Sequence, residues 1–147
     1  LDFVHNVAHP ELEVDSQLKN FLNKLHGKKF IYTNASKKHA LNVLDGMGIT
    51  DQFDDILDIK GTNYVPKPDP RSYETMISKF KIAGEQLKRT VFLEDTAKNL
   101  KPAKTMGLST VLIKNNFDHQ DYELNKKFID FTCNDIKEFF KSISLDI

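Results

Sequence analysis

Short apolar runs alternate with amphipathic stretches roughly ten residues long over nearly the whole chain. Residues 15–26 place Leu18, Phe21, Leu22 and Leu25 at helical spacing, with Asp15 suited to cap the start and Gly27 to end it. Residues 28–33 (KKFIYT) then read as a buried strand. The alternation continues with a helix over 36–47 ended by Gly48, a weaker strand over 55–59, and a helix opening at Pro70 behind the cap Asp69. A strand over 91–93, a helix over 96–106 ended by Gly107, and a strand over 109–113 follow. A weaker fifth strand over 128–132 precedes a closing helix over 136–143. Strands separated by helices require right-handed crossovers, which lay helices on both faces of a parallel sheet. The expected class is α/β, a doubly wound, Rossmann-like parallel sheet.

In such sheets ligands gather outside the carboxyl ends of the strands. The first strand ends in Thr33 and Asn34. The third, in TVFLEDTAKNL, ends in the adjacent carboxylates Glu94 and Asp95. Between them Lys67 sits in VPKP, where the flanking prolines favour an extended backbone. A hydroxyl with nearby amides, a cation and two carboxylates on one edge suit a phosphate and a metal ion. The competing reading is structural: acids at a helix start complement its dipole, Thr33 begins a turn, and Lys67 is a solvated loop lysine.

Composition narrows the classes. At 147 residues the chain is the size of one domain and can bury roughly 70% of its unfolded surface. Twenty-one basic residues balance 21 acidic ones, which argues against a broad nucleic-acid or membrane-surface footprint. No apolar run reaches membrane-spanning length. The lone Cys133 precludes an intrachain disulfide and suits a reducing, cytoplasmic compartment; it is expected to be buried. His5, His9, His26, His39 and His119 show no metal-ligand spacing, and Phe128, Phe131, Phe139 and Phe140 read as core. The opening LDFVHNV reads as the interior of a longer protein.

Taken together, GKKFIYTN, HALNVL, GITDQFDDI, PKP, EDTAKNLKPA and MGLSTVLI resemble the haloacid dehalogenase superfamily, and within it the pyrimidine 5'-nucleotidase-like branch. The resemblance implies that Thr33 hydrogen-bonds a phosphoryl oxygen, helped by the Asn34 amide and the helix start near Ser36. It implies that Lys67 pairs with phosphate and stabilises the nucleophile, and that Asp95 and Glu94 hold Mg2+ directly or through water. The substrate it implies is a small phosphorylated metabolite, a nucleoside 5'-monophosphate, with no nucleic-acid polymer or membrane as partner. Asn99 is a candidate to orient the loop or Lys67.

The superfamily's attacking aspartate lies in Asp-x-Asp at the end of a central strand, and no such motif follows an apolar strand here. Asp54-Asp55 precedes a strand instead. The expected organisation is therefore residues 1–14 as the end of a helical cap returning to the core, and 15–147 as a core lacking its first strand. In the superfamily's order that strand separates the one ending at Thr33 from the one ending at Asp95. Its absence leaves three outcomes: the flanking strands pair directly, another segment inserts, or a second copy of the chain supplies a strand. A homo-oligomer or rearranged sheet is the expectation. Receiver domains carry similar groups but place the acids before the lysine, and a non-catalytic module that binds a phosphorylated ligand is the other alternative.

Overall fold

The computed structural model describes residues 13–143, so the expectation for residues 1–14 falls almost wholly outside them. Helix α1 (Ser16–Lys24) begins where Asp15 accepts the Leu18 N–H at 3.0 Å, and strand β1 (Phe30–Tyr32) follows. Helix α2 (Lys37–Met47) is capped by Ser36, whose hydroxyl accepts the His39 N–H at 3.1 Å. It ends at Gly48, whose φ of 73° is left-handed, a backbone region that glycine adopts without strain. Because the Ser36 hydroxyl satisfies a donor that the helix itself leaves orphaned, Ser36→Ala should lower stability by about 1 kcal/mol in urea titration.

Strand β2 (Asp55–Leu57) leads to α3 (Pro70–Lys79), opened by Asp69 with proline in its first turn. A short α4 (Glu85–Lys88) precedes β3 (Val91–Glu94), and α5 (Leu100–Thr105) connects to β4 (Ser109–Ile113). Helix α6 (His119–Asn125), β5 (Phe131–Cys133) and α7 (Ile136–Ile143) complete the described chain. Three expectations need correction. The helix expected over 96–106 is a 3-10 turn, Ala97–Asn99, followed by α5. Pro102 has no N–H and its ring excludes the carbonyl four residues back, so a regular helix cannot run through it from Thr96. The fifth strand lies further along than 128–132, because Val111 pairs with Phe131 and residues Lys126–Phe128 are coiled into a 3-10 turn. Phe131 is 54% exposed and is not core, whereas Phe139 and Phe140 are buried.

All strand pairs are parallel. Apolar residues of α1, α2 and α7 cover one face (Leu22, Val43, Leu44, Phe140) and those of α3 and α5 the other (Tyr73, Met76, Leu100, Ala103), so the domain is doubly wound. Among the described residues the strands form two sheets, β1-β2 and β3-β4-β5. Direct pairing of β1 with β3 does not occur. A cleft of about 810 Å³ lies between them, walled by Phe30 and Tyr32 on one side and Phe92 and Leu93 on the other. No helix among the described residues is long and apolar enough to cross a membrane.

Cys133 is 4% exposed, as expected. Burial, reinforced by the nearby charges of Glu138 and Asp135, pushes its thiol up to about 11. The thiolate is the reactive species, so the native protein should resist iodoacetamide at pH 8 and react once unfolded in urea. A folded value above the unfolded one also means that this group's contribution to stability is full below pH 9 and is lost as pH rises towards 11.

Candidate functional site

At the carboxyl edge β1 runs into Thr33, which is 2% exposed. Its N–H continues the ladder to the Leu57 carbonyl at 3.0 Å, and its hydroxyl accepts the Ala35 N–H at 3.0 Å. Accepting leaves the O–H proton available to donate. Asn34 uses its side chain in a way the sequence did not suggest. Its Oδ1 accepts the Lys67 N–H at 2.8 Å and its Nδ2 donates to the Lys67 carbonyl at 3.3 Å, fastening the VPKP loop to the end of β1.

Lys67 is therefore not a solvated loop lysine: it is 4% exposed. Its ammonium donates to the Tyr32 carbonyl at 3.1 Å and to Glu94 Oε1 at 2.9 Å, and lies 4.8 Å from the centre of the Tyr32 ring. It thus spans the carboxyl end of the cleft, from the last residue of β1 to the last of β3. Glu94 is fully buried and both its oxygens are engaged. Oε1 also accepts Asn99 Nδ2 at 3.2 Å, and Oε2 accepts the Thr96 N–H at 2.8 Å. Asn99 is itself fixed, because the Tyr73 hydroxyl donates to its carbonyl. Asn99, the candidate to orient the loop or Lys67, donates to Glu94, which in turn accepts from Lys67. Tyr73 and the Tyr32 carbonyl were not singled out from the sequence: a core tyrosine and a strand carbonyl carry no motif.

Asp95 differs from its neighbour. It is 3% exposed, and its Oδ1 accepts the Thr96 hydroxyl at 3.3 Å. Its Oδ2 is buried without a hydrogen-bond partner. A buried carboxylate oxygen in that state is costly unless a cation meets it. Mg2+ fits: it takes hard oxygen ligands and commonly keeps one or two carboxylates, with water and substrate phosphate filling the rest. Among the described residues no group of three His, Cys, Asp or Glu side chains gathers into a metal cage, and the fit rests on Asp95. Of the pair expected to hold the metal, Glu94 is bonded to Lys67, Asn99 and Thr96, and Asp95 keeps one buried oxygen without a hydrogen-bond partner.

A family model described as haloacid dehalogenase-like hydrolase matches residues 3–107. The chain is 28% identical over 113 residues to the yeast Phosphate metabolism protein 8 from Saccharomyces cerevisiae, an alignment that covers 69% of this chain but 35% of that protein. Among solved structures it superposes with a TM-score of 0.66 on a HAD phosphatase from Thermococcus onnurineus, at 22% identity and covering 85% of this chain and 54% of that one. It superposes with a TM-score of 0.68 on the magnesium-bound putative HAD-hydrolase YfnB from Bacillus subtilis, at 14% identity and covering 88% and 54%. The chain thus spans about a third of the curated relative and about half of these structures. With the family model matched over most of its length, this chain belongs to the haloacid dehalogenase-like hydrolases.

Proposed function

We propose that the protein carrying this chain is a Mg2+-dependent phosphatase of small phosphomonoesters, with a nucleoside 5'-monophosphate as substrate, in the pyrimidine 5'-nucleotidase-like branch. The observation that carries the reading is the buried, unpartnered Asp95 Oδ2, on the same edge as Thr33 and Lys67. The names of the yeast relative and the archaeal phosphatase, and the magnesium of the bacterial neighbour, support it. In this reading the Thr33 hydroxyl donates to a phosphoryl oxygen, and the Lys67 ammonium, held between Tyr32 and Glu94, offsets charge that develops in transfer. Asp95 holds the metal, which when bound supplies electrostatic stabilisation of the phosphoryl group. Glu94 fixes the position of Lys67 and would support the metal directly or through water. Asn34 holds the loop that delivers Lys67.

Among the described residues no Asp-x-Asp motif ends a strand, so in this reading an attacking aspartate that forms an aspartyl-phosphate would come from outside them. The test is Mg2+-dependent phosphate release from a pyrimidine nucleoside 5'-monophosphate. The purified 147-residue chain should release none above background, and a longer form with an upstream Asp-x-Asp strand should turn over. Turnover by the short chain, or an inactive longer form, would contradict the proposal.

A further inference from the structure

We infer that Tyr64 is a specificity-determining residue of this edge, its ring stacking on the base of a nucleoside 5'-monophosphate whose phosphate lies between Thr33 and Lys67. The inference rests on the phosphatase reading and adds what holds the organic part of the substrate. A single exposed ring is ordinary on a protein surface and needs no explanation by itself. Tyr64, 69% exposed, needs one because of the backbone beneath it. The Val65 N–H donates to the Thr62 carbonyl at 3.1 Å, and the two residues between, Asn63 and Tyr64, have φ of 55° and 64°. That is the pattern of a type I′ turn, which favours asparagine followed by glycine. Asn63 suits its place. Tyr64 stands where glycine is favoured, and positive φ brings its Cβ too close to the carbonyl oxygen that follows. Among the described residues its side chain makes no hydrogen bond, ion pair or ring contact that would offset the strain. Residues held in such conformations cluster where they serve binding or catalysis.

The turn is tied to the site on both sides. The Tyr64 N–H donates to the Ile59 carbonyl at 2.8 Å, the Ile59 N–H to the Ala35 carbonyl at 3.1 Å, and the Ala35 N–H to the Thr33 hydroxyl at 3.0 Å. Asp58 holds the same loop to the start of α2, accepting the Lys37 N–H at 2.9 Å and the Gly61 N–H at 2.8 Å. Further along, the Asn34 side chain fastens Lys67. The chain from Tyr64 to Lys67 spans at most about 10 Å, so the ring lies within a nucleotide's length of the ammonium. The loop that delivers Lys67 to phosphate thus also carries an aromatic side chain in solvent, on a backbone bonded to Thr33. Every base has a face that can stack on such a ring. Tyr64 therefore selects nucleotides from aliphatic phosphomonoesters, not one base from another.

The test titrates uridine 5'-monophosphate, ribose 5-phosphate and inorganic phosphate, each with Mg2+, into isotope-labelled protein and reads the amide shifts of Thr33 and Ala35. The nucleotide should bind about tenfold more tightly than ribose 5-phosphate. Tyr64→Ala should erase that preference, the affinity for the nucleotide falling to that for ribose 5-phosphate. Tyr64→Phe should keep it, because stacking needs the ring and not the hydroxyl. Tyr64→Gly should erase it while unfolding at no lower urea concentration, since glycine suits the turn. Equal affinity for the nucleotide and ribose 5-phosphate, with both shifting Thr33, would overturn the inference and leave the phosphate site standing. So would a Tyr64→Ala variant that keeps the preference, or one that loses all three ligands together. No shift from any of the three would overturn the phosphate site and this inference with it.

Discussion

Glu94→Leu should destabilise the domain by about 3–5 kcal/mol in urea or thermal unfolding, a large share of the roughly 5–15 kcal/mol that holds such a domain together. The cause is the company Glu94 keeps. Lys67 is buried beside it at 2.9 Å, and the substitution removes that countercharge from the buried ammonium. The Thr96 N–H and the Asn99 amide lose their shared acceptor at the same time. Lys67→Met alone should cost a similar amount, because it strands the carboxylate. The double variant Lys67→Met with Glu94→Leu should recover the part of the loss that comes from the buried charge, while the loss of the acceptor for the Thr96 N–H and the Asn99 amide remains. Additive losses in the double variant would show that the two residues do not act as a pair.

Asp95→Asn should leave the fold intact yet, on the proposed function, reduce Mg2+-dependent turnover by a form that carries an Asp-x-Asp strand by at least about a hundredfold. The substitution keeps shape and removes charge. The Thr96 hydroxyl can still donate to the amide oxygen, so stability should change little. What is lost is the anionic Oδ2 on which the metal fit rests. Activity should not return with excess Mg2+, because an amide is a poor substitute for carboxylate at a hard cation. An Asp95→Asn enzyme with undiminished turnover would remove this residue from the site, whatever its stability. The contrast with Glu94 is the informative part: one acid should chiefly affect stability and the other turnover.

Much of this architecture was legible in the sequence, because local rules and burial agree there. Asp15, Ser36 and Asp69 cap the helices they precede, and β4 and α7 begin and end where the apolar pattern does. The carboxyl-end rule also led to Thr33, Lys67 and Asp95 without any knowledge of packing. What escaped was long-range or lacked an apolar signal. Glu94 and Lys67 stand 27 residues apart, and only the assembled core brings the carboxylate to the lysine. Helix α6 (HQDYELN) buries none of its residues, so it has no apolar stripe to announce it. Phe131 looked like core because aromatic residues usually are, but it lies on the outer strand of its sheet, where a ring can stay half in solvent. The break before α5 was visible in Pro102 and yielded to the stronger periodicity around it.

The central claim is that the edge joining Thr33, Lys67 and Asp95 is a metal and phosphate site, and Mn2+ titration of isotope-labelled protein in the presence of inorganic phosphate tests it most directly. Paramagnetic broadening should centre on Asp95 and Thr96, extend to Thr33, and disappear in Asp95→Asn while the remaining spectrum is unchanged. Broadening centred on other carboxylates, such as Asp118 and Asp121, or broadening at Asp95 that survives the substitution, would contradict it.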